Sequence, residues 1–148
     1  MTSGTGAPRK DEDEIRCRLV VFSPRLRPED VTARSGMQAT TVRHRGYRAR
    51  PGAGPKDGLA EHQWIWEPDD DVTLTLDAQL DAIWSAIGPS AAAFRNLQPE
   101  ARVVVDIVFE HYGSELSFGW ELHERHVAMA SALGASVSVD EYDYTGDD

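Results

Sequence analysis

The sequence predicts an α+β domain: an antiparallel sheet of about five strands with helices on one face, built as a ferredoxin-like βαββαβ core plus an extra helix and strand. Three observations carry that expectation. Residues 15–23 and 102–112 alternate apolar side chains with period two, the mark of strands with one buried face. Leu76, Leu80, Ile83, Trp84 and Ile87, and again Leu122, His126, Met129, Ala130 and Leu133, fall at offsets 0, 4, 7, 8 and 11, the stripe of an amphipathic helix. The other elements interleave, so the order reads strand, helix, strand, strand, helix, strand, helix, strand.

In the first strand Ile15, Cys17, Leu19 and Val21 share the core face, and Arg16, Arg18, Val20 and Phe22 the other. Pro28-Glu29-Asp30 opens a helix over 28–35, since proline fits a first turn and acids complement the helix dipole; Gly36 ends it. Residues 38–43, with Thr40, Thr41 and Val42, form a short strand, and residues 61–67, around Trp64-Ile65-Trp66, form the next before Pro68. The helix that starts at Leu76 stops at Gly88-Pro89, and residues 90–97 add a turn or two packed by Phe94 and Leu97. Val103, Val105, Ile107 and Phe109 share one face of the long strand, Gly134 caps the last helix, and Val137 and Val139 alternate with Ser136, Ser138 and Asp140 in a final strand ending near Tyr142. Residues 1–14 hold nothing to bury and read as a disordered tail, residues 15–143 as one domain, and residues 144–148 as an acidic tail.

The chain has 148 residues and a formal charge of -10, and that charge is uneven. Residues 1–56 carry 12 bases and 6 acids, residues 57–148 carry 3 bases and 19 acids, so a stretch of +6 adjoins one of -16. The bases concentrate at Arg43, His44, Arg45, Arg48, Arg50 and Lys56 among glycines and prolines, which reads as a mobile basic loop over about 43–60. A nucleic-acid partner is not expected, because neither a basic domain nor a binding motif accompanies the loop. No apolar run of about 18 residues and no apolar leader is present, so the reading is cytoplasmic, without a membrane partner. The single cysteine, Cys17, rules out an internal disulfide and a thiolate metal site.

If the odd residues of the strands meet the helices, the even ones line an open face. That face collects Arg18, Val20, Phe22, Val104, Asp106, Val108, Glu110, Asp140 and Tyr142, with Trp64 and Trp66 as further candidates. It is too apolar to stand bare, so it is covered by the loop, paired with a second subunit, or used in binding. Arg18, Phe22, Trp64, Trp66, Asp106, Glu110, Asp140 and Tyr142, with Arg45, Arg48 and Arg50 of the loop, are therefore the candidate binding residues.

No catalytic residue is assigned. Asp106, Glu110 and Asp140, with His111 adjacent, would suit general acid or base work if their charges crowd, but alternate acids on a strand ordinarily face water. His123-Glu124-Arg125-His126 spaces its histidines three apart where the helical zinc-protease motif needs four, and His126 lies on the apolar stripe, so no metal is expected. Asp69-Asp70-Asp71 lacks the glycine and distal glutamate of a calcium loop. Serine elbows, phosphate loops and dinucleotide fingerprints are missing, and no cofactor is expected.

Pro28-Glu29-Asp30-Val31-Thr32 leading to Gly36-Met37, then Trp64-Ile65-Trp66, Leu76 to Leu80, and Leu133-Gly134-Ala135-Ser136-Val137-Ser138-Val139-Asp140 with Tyr142 form a recognisable series. On these residues the chain resembles the bacterial domain-of-unknown-function family numbered 4279 over about 15–142. The arginine- and glycine-rich loop, and Glu141 where a hydrophobic residue is usual, depart from the pattern. The resemblance implies a fold and a bacterial origin and transfers no catalytic residue. The expected function is non-enzymatic binding of another protein, with toxin neutralisation as one form. The alternative is a small-molecule-binding protein or enzyme using the open face and the basic loop. A homodimer through the same face is compatible with either.

Overall fold

Strand β1 (Glu14–Ser23) is followed by helix α1 (Pro28–Ser35), β2 (Thr41–Arg43), β3 (His62–Trp66), α2 (Leu76–Ile87), a 3-10 turn at Gly88–Ser90, α3 (Ala91–Arg95), β4 (Arg102–His111), α4 (Glu124–Leu133) and β5 (Ser136–Asp143). This computed structural model describes residues 14–48, 58–69, 75–111 and 120–144. Local chemistry sets the boundaries. The Asp30 carboxylate accepts from Arg27 N–H at the start of α1, and the left-handed Gly36 ends it. Thr75 Oγ1 accepts from Ala78 N–H at the start of α2. His123 is the N-cap of α4, so the helix begins at Glu124 and not at Leu122. At its other end Gly134 adopts φ 64, and its carbonyl takes the Gln98 side-chain N–H.

The sheet order is β2-β3-β1-β4-β5. β1 is central and antiparallel to both β3 and β4, and β2 is antiparallel to β3. β5 runs parallel to β4, which corrects the expectation of an all-antiparallel sheet. The reason is the connection: α4 carries the chain back along the sheet, so β5 starts from the same end as β4. The second strand is also shorter than expected, with residues 38–40 outside it. The result is a five-stranded mixed sheet, mostly antiparallel, in an α+β fold.

One face of the sheet carries the helices and the core. Cys17, Leu19 and Val21 of β1, Trp64 of β3, and Val103, Val105, Ile107 and Phe109 of β4 pack with Val31, Leu80, Ile83, Ile87, Phe94, Met129 and Leu133 of the four helices. Trp64 binds the layers twice, through its ring against Phe94 (centroids 5.3 Å apart) and its Nε1–H to Thr32 Oγ1 (3.1 Å). A second tie sits where β3 stops short. β3 pairs with β1 over Leu19–Ser23 alone, and lower down the buried Gln79 of α2 takes the strand's place. Its Oε1 accepts from Cys17 N–H (2.8 Å) and its Nε2 donates to Ile15 C=O (2.6 Å).

Candidate functional site

The pairing registers fix what the helix-free face presents, because directly opposed residues of neighbouring strands share a face. Three rows cross it. The first runs Arg43, Gln63, Phe22, Arg102; the second Thr41, Ile65, Val20, Val104, Ser136; the third Arg18, Asp106, Ser138. The middle row supplies an apolar floor, with Ile65 and Val20 each 1% exposed and Val104 6%. β-branched side chains are suited to that position on central strands.

Polar groups stand on either side of this floor and are tied to one another. Arg18 Nε donates to Asp106 Oδ2 (2.8 Å), and Arg18 Nη1 also lies 3.8 Å from Glu67 Oε1. Arg16 pairs with the same glutamate at 3.3 Å. The Arg102 guanidinium lies 4.7 Å from the Phe22 ring centroid and donates to Glu61 (2.9 Å). Between these groups a cleft of about 320 Å³ is lined by Arg18, Phe22, Arg102, Asp106, Ser138 and Asp140, among others. A second depression of about 450 Å³ shares Phe22 and Arg102 and extends past Pro24, Arg25 and Glu61. Charges of both signs are interspersed across the face: Arg16 and Arg18 on β1 meet Glu67, and Arg102 on β4 stands among Glu61, Asp106 and Asp140.

Of the residues predicted from sequence, the structure brings Arg18, Phe22, Asp106 and Asp140 to this cleft. Glu110 and Tyr142 are on the same face but at its far end, opposite one another and beside Glu14. Trp64 and Trp66 are not on it. They oppose Val21 and Leu19, so both point to the helices; Trp64 is 1% exposed and Trp66 packs against the core. The parity of β3 relative to β1 decides this, and only the register supplies it. Arg45 and Arg48 lie beyond the Arg43 end of β2, and Arg50 is outside the described residues, as are Lys56, Asp70 and Asp71.

The carboxylate cluster considered for acid–base work is only partly assembled: Asp106 and Asp140 line one cleft, but Glu110 and His111 do not join them. Asp106 and Glu110 are separated by four strand residues, roughly 13 Å, Asp106 is committed to Arg18, and His111 is buried on the opposite face. Cys17 is no nucleophile either: burial, aided by the Asp106 charge, pushes its thiol up to about 12. Arg102, Ser136, Ser138 and Ile65 were missing from the sequence-derived set. Arg102, Ser136 and Ser138 carry the same even parity as Val104 and Asp140 and were legible on that ground; Ile65 needed the β1–β3 register.

The fold and this face define a small α+β domain with helices on one side of a mixed sheet and a charged, partly apolar surface on the other. The family model described as Domain of unknown function (DUF4279) matches residues 13–144, and the chain belongs to that family. No curated protein and no solved structure matches the chain. Among the described residues no helix is long and apolar enough to cross a membrane.

Proposed function

We propose that the chain is a non-enzymatic binding module whose partner is another protein, docked on the helix-free face of the sheet. The observation that carries this reading is the Phe22–Arg102 stack at the rim of the cleft. An aromatic ring and an arginine side by side are the residue types that dominate binding energy at protein interfaces. Carboxylates already paired with arginines suit recognition better than proton transfer. The charged groups around the cleft would orient a partner of complementary charge and speed its arrival. Toxin neutralisation is one form such binding takes, and the acidic second half of the chain favours a basic toxin.

The order β2-β3-β1-β4, with every neighbouring pair antiparallel, supports reading the first four strands as a ferredoxin-like unit to which α4 and β5 are added. A lone buried thiol suits a reducing compartment, which supports a cytoplasmic location.

The test is affinity capture from the source organism with the wild-type chain and a Phe22→Ala/Arg102→Ala variant side by side, followed by titration of any purified partner. A protein held by the first and lost by the second supports the reading. Identical captures, or none, overturn it. A second reading has one observation in its favour: a cleft of about 320 Å³ is within the size range of small-ligand sites. A metabolite that raises the melting temperature of the wild type but not of Arg102→Ala would put that reading in its place.

A further inference from the structure

The N-terminal ends of α2 and α4 bring together a second group of polar side chains, far in kind from the sheet face. His126 is the anomaly among them. Its side chain is 2% exposed, its Nε2 meets Asp81 Oδ1 at 2.9 Å, and its Nδ1 has no hydrogen-bond partner. A carboxylate accepts hydrogen bonds, so Nε2 carries the proton and Nδ1 presents a lone pair. Asp81 is itself fixed by Arg125, whose Nε and Nη2 donate to its two oxygens at 3.0 and 3.2 Å. A buried imidazole locked by a carboxylate on one nitrogen and left open on the other is the arrangement in which histidine binds metal ions.

One further metal-ligating group stands near the open nitrogen, and a second histidine stands beside that group. Asp77 Oδ1 stands 3.9 Å from His126 Nδ1, too far for a hydrogen bond, and Asp77 Oδ2 is 3.1 Å from His123 Nε2. The rings of His123 and His126 have centroids 5.7 Å apart. Two ligands bound to one tetrahedral ion at about 2.0–2.2 Å lie roughly 3.3–3.6 Å from one another. The 3.9 Å Asp77–His126 gap exceeds that by roughly 0.3–0.6 Å. As the side chains stand, no three such donors among the described residues converge on one point. The two that must move, His123 and Asp77, are the half-exposed ones, at 39% and 45%, while His126 is held.

We propose that Asp77, His123 and Nδ1 of His126 form a site for a borderline divalent cation of the Zn²⁺ class, with Asp81 and Arg125 as its outer support. Imidazole nitrogens with one carboxylate select such ions over Mg²⁺ or Ca²⁺, which take oxygen ligands. The ion would join α2 to α4 and keep a face open to solvent. The sequence hid this because its histidines are three apart on one helix, and the completing carboxylate comes from another.

The experiment is calorimetric titration of the chelator-treated chain with Zn²⁺, together with the visible spectrum on adding Co²⁺. Expected are one site per chain, a rise in melting temperature on adding Zn²⁺, and a weakening of at least about tenfold in Asp77→Asn and in His123→Ala. Asp81→Ala, which removes only the outer support, should weaken binding by about 10–100-fold. His44→Ala is the control, since His44 and His62 form the other histidine pair, 5.9 Å apart; it should change nothing. No saturable binding, or binding that survives Asp77→Asn and His123→Ala, or that His44→Ala abolishes, overturns the proposal. Both ligand variants alter half-exposed side chains, so the test does not depend on replacing the buried His126.

Discussion

Removing the Arg18–Asp106 pair separates what the sheet face contributes to stability from what it contributes to binding. Asp106 keeps 12% of its side chain exposed and Arg18 30%, and they meet at 2.8 Å in the two central strands. Arg18→Met leaves Asp106 charged and nearly buried with no cation to answer it. Breaking a fully buried pair costs about 3–5 kcal/mol, and partial exposure of the arginine reduces that to about 1–3 kcal/mol. For a domain of this size the melting temperature falls by roughly 3–10 °C. Asp106→Val should cost less, because Arg18 still reaches Glu67 at 3.8 Å and solvent. The double variant Arg18→Met/Asp106→Val replaces the pair with side chains that continue the Val20–Val104 floor, and it should return to within about 1 kcal/mol of the wild type. Urea unfolding of the four proteins measures the cycle. A double variant as unstable as the sum of its singles, or an Arg18→Met as stable as the wild type, would refute the reasoning.

Three other outcomes follow from the structure. Gln79→Ala strands the buried Cys17 N–H and the half-buried Ile15 C=O and should lower stability by about 2–4 kcal/mol, whereas trimming exposed Gln38 should be near neutral; a small loss at Gln79 in urea melts would contradict its place as a strand substitute. Cys17, its thiol pushed up to about 12, should resist a disulfide-exchange reagent at pH 8 in the folded chain and react at the ordinary rate in urea; rapid labelling of the native protein would show the strand is not packed as described. The Arg125 guanidinium, and after it His126, hold the Asp81 carboxyl below its ordinary value of 3.8. A depressed folded value gives stability that is present above the unfolded value and lost as pH falls through the folded one. In the presence of chelator, the melting-temperature advantage of wild type over Asp81→Asn should therefore hold at pH 6 and fade below about pH 4; an advantage that grows on acidification would reverse the sign.

Much of the architecture was legible because it rests on short-range chemistry. The period-two runs of β1 and β4, the stripes of α2 and α4, and the stops at Gly36 and Gly134 are written in neighbouring residues. Direction and parity are not. Whether β5 would lie antiparallel or parallel depended on where α4 delivered the chain, and whether Trp64 faced the helices depended on the β1–β3 register. The same limit governed the sites. Arg18, Phe22, Asp106 and Asp140 were found by alternation within strands, but the Arg18–Asp106 contact spans 88 positions and the Asp77–His123 contact 46, distances over which sequence pattern carries no signal.

The measurement that bears most directly on the proposed function is the affinity of the captured protein partner for the wild-type chain and for Arg18→Met/Asp106→Val. That variant, expected to keep the fold, erases the Arg18 and Asp106 charges. The account predicts a weakening of about tenfold or more, the loss expected when a central interface contact is removed. Equal affinity for the two proteins would show that the partner does not read this face.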